Sequence, residues 1–310
     1  MLKDTTSIIK SFKDKGSYIS DEVIATAVLL ASKLEKPLLI EGEAGVGKTE
    51  LAKVIAKITS RELIRLQCYE GIDESAILYE WAYAKQLLYA EVLRSKINTF
   101  LSDTISLKDA IKKIDQNENA FFTYEFLQAR PLLKALLSEK PVVLLIDEID
   151  RSDRETEAFL LEALSDFQVS IPEIGTIKAE NKPFVVLTSN STRELSDALK
   201  RRCIYLYIDL PTPQQELKIL KIKIPSLKDT FANEIIKFIQ KLRSHDWKKI
   251  PSIAESIDWV MALISLNFDT LTQDAVFTTI NLLLKHKSDL KKSTSIITSL
   301  FNKKRKTGGS

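Results

Sequence analysis

The chain has 310 residues, 45% of them hydrophobic, with 45 basic and 42 acidic side chains, a net charge of +3 and only two cysteines. Such a length and apolar share suit one large domain or two ordinary ones around a buried core, which excludes a disordered or fibrous chain. Two cysteines are too few for a disulfide framework, so Cys68 and Cys203 read as small apolar side chains in a reducing compartment.

Charge is uneven along the chain. Up to Leu210 there are 28 basic and 33 acidic residues, and after it 17 and 9, so the two parts carry −5 and +8. The excess of lysine lies on helical sequence without interleaved aromatics, which reads as a solvated face and speaks against nucleic acid as a partner. Met1 to Lys15 mixes Lys, Asp and Ser and has no apolar stretch of a signal peptide. No run of 18 apolar residues occurs, so no membrane span is expected and the cytoplasm is the expected address.

The first element, Ser20-Asp-Glu followed by an apolar run to Leu34, reads as a capped helix. A short apolar strand, Leu38 to Glu41, then enters Gly42 and a helical stretch from Lys48 to Ile58. Further buried-type strands are predicted at Leu63 to Cys68, Val142 to Ile146, Phe184 to Thr188 and Ile204 to Ile208. Their alternation with helical patterns predicts an α/β fold, a five-stranded parallel sheet covered on both faces.

Ile72 to Phe126 is too long for a plain crossover and reads as an insertion. It carries Trp81, Tyr83, Leu87, Leu88, Val92 and Leu93 in a mostly helical pattern, suited either to packing on its own domain or to meeting a client. A second insertion, Phe167 to Lys178, predicts a β-hairpin around Pro172 and Glu173. After Pro211-Thr-Pro the pattern becomes all helical, at Gln214 to Lys223, Asp229 to Leu242, Ser252 to Leu266 and Leu271 to Lys287. The expected domains are therefore an αβα core over 1–211, an all-α domain over 212–302 and a disordered basic tail over 303–310.

Gly42-Glu43-Ala44-Gly45-Val46-Gly47-Lys48-Thr49, continued by Glu50, fits the full phosphate-binding pattern between a strand and a helix. Backbone amides around the glycines cradle phosphates, Lys48 reaches the β- and γ-phosphates, Thr49 holds Mg²⁺, and the helix dipole adds positive potential. Half of the six glycines outside the terminal Gly308 and Gly309 fall in this loop, which makes a chance match improbable. ATP and Mg²⁺ are the expected cofactors. GTP is disfavoured because Asn181-Lys182 is followed by Pro183-Phe184 and lacks the aspartate of a guanine-reading motif.

Val142 to Ile146 ends in Asp147 and Glu148, at the sheet edge where open α/β folds bind ligands. Asp147 is predicted to hold Mg²⁺ through water, and Glu148 to act as general base on the attacking water. Thr188-Ser189-Asn190 closes the next strand, so Asn190 is suited to orienting that water. Arg201-Arg202 precedes the fifth strand and reads either as surface charge or as an arginine finger toward a neighbouring subunit, which requires an oligomer. His245 and His286 each lack a second ligand nearby in sequence and read as surface or packing residues.

At these residues the chain resembles the MoxR branch of the AAA+ ATPases, and in particular its CoxD-type members. The resemblance covers nearly the whole chain, through Gly42 to Thr49, Leu66-Gln-Cys-Tyr-Glu-Gly71, Leu144 to Asp150, Thr188 to Asn190, Arg201-Arg-Cys203 and Pro251-Ser-Ile-Ala-Glu255. It implies an AAA+ P-loop NTPase core with a helix-2 insert and a pre-sensor 1 β-hairpin, followed by a helical lid. It also implies a chaperone-like hexamer that remodels a client protein with a von Willebrand A domain partner, in the maturation of metalloenzymes such as carbon monoxide dehydrogenase. By the same resemblance Asn190 is sensor 1, and Arg202, or Arg201 in its place, is the finger. One departure stands out: Ser252-Ile-Ala-Glu255-Ser contains no arginine where many AAA+ proteins place one.

Two other readings stand beside this one. ATP could set assembly in a binding scaffold whose turnover is incidental, or drive a nucleic-acid remodeller, for which steeply salt-dependent binding would be required.

Overall fold

The structure is a computed structural model that describes residues 4–91 and 122–307, with side chains to residue 302. Five strands form the main sheet: β1 (Leu38–Glu41), β2 (Leu63–Gln67), β5 (Val143–Asp147), β8 (Phe184–Ser189) and β9 (Ile204–Tyr207), in the order β2-β5-β8-β1-β9. β5 pairs parallel with both β2 and β8. The amides of Ile204 and Ile208 bond the carbonyls of Pro37 and Glu41 in the same sense. β5 and β8 are buried at every position, as central parallel strands must be, whereas edge strand β2 buries only Leu66 fully.

By compactness the chain forms two units, one of residues 1–29, 40–59 and 205–310, the other of 30–39 and 60–204. This division follows packing. It differs from the boundary at 211 expected from the sequence.

In the first unit, α1 (Thr5–Gly16) is closed at its start by an Asp4–Ser7 capping box and packs on α3 (Lys48–Thr59). The contact is close enough that a methyl group on Gly16 would lie 2.4 Å from Val54. α2 (Glu22–Leu34), which continues into the second unit, is capped by Asp21 rather than Ser20, the amide of Ile24 donating to its carboxylate at 2.9 Å.

Helices α8 (Pro213–Lys223), α9 (Asp229–Arg243), α10 (Ile253–Ser265), α11 (Gln273–Thr279) and α12 (Lys287–Thr307) share one core, which includes Leu220, Ile235, Ile239, Trp259, Val260 and Leu284. The helix expected from Leu271 to Lys287 is shorter and is followed by a separate one. Ile280, Leu283 and Leu284 are buried beyond its end, and Asp289, also buried, accepts the Lys248 amide at 3.1 Å, seating a new helix. That helix runs through residue 307, so residues 303–307, expected as a disordered tail, are helical.

The second unit is built on a core that joins Leu39, Leu144, Ile146 and Leu187 with Leu132, Leu160 and Leu164. Its helices are α4 (Glu74–Ile77), α5 (Pro131–Leu136), α6 (Arg154–Asp166) and α7 (Asp197–Arg202). The expected hairpin is present as β6 (Gln168–Ile171) against β7 (Gly175–Lys178). A short antiparallel pair, β3 (Tyr79–Trp81) and β4 (Leu127–Ala129), closes the first insertion, and three residues a side are too few to show an alternating pattern in sequence. Trp81 packs edge-on to Phe122, while Tyr83, Leu87 and Leu88 are exposed. Val92 and Leu93 lie outside the described residues.

Candidate functional site

In the first unit the candidate binding element is the loop between β1 and α3. Gly42, Gly45 and Gly47 have φ of 154°, 82° and 100°, which side-chain-bearing residues rarely adopt. At Gly42 a Cβ would lie 2.3 Å from the Ile208 carbonyl oxygen, so only glycine lets the chain pass. Lys48 begins α3 and is buried, its ammonium donating to the carbonyls of Gly42 and Glu43 at 2.7 and 2.6 Å. A cradle kept clear of side chains, at a helix N-terminus with a buried ammonium, fits a polyphosphate. Thr49 follows on α3, and Glu50 bonds Lys223 at 2.8 Å.

The same unit holds a cavity of about 700 Å³, within the range of small-molecule sites, lined by Gly45, Val46 and Gly47 together with Ile19, Ile208 and Ile257. Tyr18 also lines it, and burial pushes the phenol well above its usual range. These wall residues were not identified from sequence, because they come from α1's end, the stretch after β9 and α10, far apart along the chain.

In the second unit a separate group of polar side chains lies at the ends of β2, β5 and β8. The β5–β8 register pairs Ile146 with Leu187, which brings Thr188 level with Asp147. The Thr188 hydroxyl donates to Asp147 Oδ1 at 2.5 Å and accepts the Glu148 amide at 2.9 Å. Glu148 is left-handed (φ 57°, ψ 49°), a conformation that costs a non-glycine residue about 1 kcal/mol and marks functional turns. Its carboxylate is held by Gln67 Nε2 (3.1 Å), Asn190 Nδ2 (3.3 Å) and Arg151 Nε (2.9 Å). Asp147, almost wholly buried, accepts Arg65 Nε at 3.0 Å and Nη2 at 2.6 Å on Oδ2.

Asp150 braces the loop after β8. Its carboxylate accepts the amides of Asn190 (3.1 Å) and Thr192 (3.0 Å) and the Thr192 hydroxyl (2.6 Å). Burial alone would raise its pKa, but these bonds to Thr192 and Asn190 outweigh it and hold the carboxyl below its usual value. The structure thus brings together Asp147, Glu148 and Asn190, and adds Thr188, Asp150, Arg65 and Gln67, to which sequence reasoning assigned no role of their own. Arg65 and Gln67 could have been noticed as polar residues two apart in an otherwise apolar strand.

Arg201 and Arg202 end α7 and are exposed. Arg202 lies along α6, Nη1 donating to Ser165 Oγ at 2.9 Å and to the Leu161 carbonyl at 3.3 Å. Neither arginine bonds Asp147, Glu148 or Asn190 among the described contacts. Cys68 and Cys203 are unpaired thiols, and burial pushes both up to about 12. No helix of the described residues is long and apolar enough to cross a membrane.

A positive-φ glycine loop feeding a helix that starts with a buried lysine, on a five-stranded sheet of this order, defines a P-loop nucleoside triphosphatase. The family model of the AAA domain, dynein-related subfamily, matches residues 37–203, more than half of the chain, and the chain belongs to that family. It is an ATP-hydrolysing AAA+ enzyme, of a class that commonly assembles into rings.

An uncharacterised protein of Staphylococcus saprophyticus is 24% identical over 259 residues, covering 81% of this chain and 84% of that one. The chaperone protein ClpB of Chlamydia trachomatis is 24% identical over 227 residues, 72% of this chain but 21% of ClpB. Among solved structures, a RuvB mutant of Thermotoga maritima covers 90% of this chain and 70% of its own, at 20% identity and a TM-score of 0.47. Domain III of the Thermotoga maritima replication initiation protein DnaA covers 86% of this chain and 95% of its own, at 13% identity and a TM-score of 0.47.

Proposed function

We propose that the chain is a MoxR-type AAA+ ATPase that binds MgATP in an oligomeric ring, expected to be a hexamer, and uses hydrolysis to remodel a client protein. The observation that carries this reading is the seating of α10 on the phosphate loop. The amide of Ala254 donates to the Gly45 carbonyl at 3.3 Å, and Ser252 packs against Gly45. A nucleotide held by that loop therefore acts on the start of a lid helix, which gives binding a mechanical output.

In this reading Lys48 and the amides from Gly42 to Gly47 hold the phosphates, with Glu50 in the first turn of α3. Thr49 and Asp147 offer oxygen ligands of the kind Mg²⁺ takes. When bound, Mg²⁺ neutralises phosphate charge. Glu148 takes the proton of the attacking water, Asn190 orients that water, and Arg202, or Arg201 in its place, completes a neighbour's site. Functionally the core is 1–211 and the lid 212–302. The buried free thiols suit the cytoplasm.

The partner is inferred to be a von Willebrand A domain protein and the client a metalloenzyme of the carbon monoxide dehydrogenase kind. The test is affinity capture on the Glu148→Gln form, which should hold ATP unhydrolysed. Retention of such a pair only in ATP supports the reading, and capture of neither rejects that part of it. For the finger, rings of mixed Lys48→Ala and Arg202→Ala subunits are expected to regain ATPase activity. No recovery in verified mixed rings rejects it.

A further inference from the structure

Arg65 and Gln67 are alternate residues of edge strand β2, so both side chains stand on one face, and the register places Gln67 beside Asp147. Arg65 spans two groups there. Nε and Nη2 grip Asp147 Oδ2 at 3.0 and 2.6 Å, and Nη2 also donates to the Gln67 amide oxygen. The Gln67 NH₂ in turn donates to Glu148 Oε2 at 3.1 Å and to the Cys68 carbonyl at 3.4 Å. The other Asp147 oxygen is taken by Thr188 at 2.5 Å.

A contribution to fold stability is a poor account of this pair. The Arg65 side chain is 50% exposed while that of Asp147 is 3% exposed, and ion pairs with one such exposed member contribute little. Exposure instead lets the guanidinium leave for water at low cost. The planar fork matches a carboxylate as a lysine cannot.

We propose that Arg65 is a latch on the carboxylate assigned to the metal, closed while its fork holds Asp147 Oδ2 and opened when a divalent cation takes that oxygen. Arg65 is a positioning residue in this scheme, acting through Asp147. The inference rests on the proposed role of Asp147 as a metal-binding residue.

The test uses the full chain saturated with a non-hydrolysable ATP analogue, with Mn²⁺ as probe and free Mn²⁺ read by electron paramagnetic resonance. Arg65→Gln is expected to bind Mn²⁺ about fivefold more tightly, the upper end for a half-exposed pair. Arg65→Lys keeps the charge but loses the fork and is expected to tighten binding about threefold. A lysine variant identical to wild type would reduce Arg65 to a through-space charge and overturn the latch, as would unchanged affinity in both variants. Asp147→Asn separates this failure from that of the underlying role. If it weakens Mn²⁺ binding while the Arg65 variants do nothing, only the latch falls, and if it too does nothing, both fall. Circular dichroism checks each variant's fold, and Arg65→Lys carries the decision should Arg65→Gln not fold.

Discussion

Ser252 stands against Gly45 so closely that a Cβ on that glycine would lie 2.3 Å from the serine hydroxyl and 2.7 Å from its Cβ. Ser252 caps α10 in a capping box with Glu255 and so cannot rotate away without unseating the helix start. Gly45→Ala should therefore displace the first turn of α10, in addition to about 1 kcal/mol for a φ of 82°. ATP binding is expected to weaken at least about tenfold, equivalent to about 1.4 kcal/mol, as read by calorimetry. Adding Ser252→Gly removes the collision but not the backbone strain, so recovery should be partial. Full loss in both variants would place the damage in the loop alone.

Thr188 links the two carboxylates through one hydroxyl, donating to Asp147 and accepting from the Glu148 amide. Thr188→Val keeps the shape of the strand residue but leaves the Glu148 amide unpaired and removes the Thr188 bond to Asp147 Oδ1. The expected result is a fall of about a hundredfold in ATP turnover, the scale of a misplaced catalytic group, with nucleotide affinity largely retained. Thr188→Ser should stay near wild type. Loss in Thr188→Ser with Thr188→Val near wild type would show that the methyl group, not the hydroxyl, matters.

What could be read from the sequence and what could not follow from range of interaction. The phosphate loop was legible because glycines, Lys48 and Thr49 must be contiguous to wrap a phosphate. β5 and β8 were legible because their burial on both faces leaves unbroken apolar runs. Arg65 and Thr188 were not, since strand register rather than spacing brings them to Asp147, and neither was the cavity wall at Ile19, Ile208 and Ile257, which the fold gathers from distant parts of the chain. The shortened α11 escaped notice because its apolar spacing continues past residue 279 while the backbone does not, Ile280 to Leu282 turning more tightly.

Asp150 makes the site's stability depend on pH. Its folded carboxyl is held below the ordinary value of 3.8, so the stability it supplies is present above that value and is lost as pH falls through the folded pKa. Thermal melts of wild type and Asp150→Asn should differ most near neutral pH, and the gap should close below about pH 4. A gap that widens with acid would mean the charged form is disfavoured in the fold. Because Asp150 bonds the amides of Asn190 and Thr192, the substitution should also slow turnover by loosening Asn190.

Behind the α10 start lies a buried ion pair that ties three helices together. Glu216 of α8 is fully buried and accepts Arg243 of α9 at 2.8 and 2.9 Å and Gln240 at 3.1 Å, while Arg243 also bonds the Pro251 carbonyl and Ser256 Oγ beside Ser252. Glu216→Gln strands a buried guanidinium, and one broken partner of such a pair costs about 3–5 kcal/mol. Urea unfolding should show that loss. Replacing both Glu216 and Arg243 with Met removes the stranded charge and should recover most of it. The double variant nevertheless lacks the bonds to Pro251 and Ser256 that fix the turn seated on Gly45. Weak ATP binding in a refolded, stable double variant is therefore the expected outcome, and wild-type affinity there would show that α10 keeps its seat on the phosphate loop without this pair.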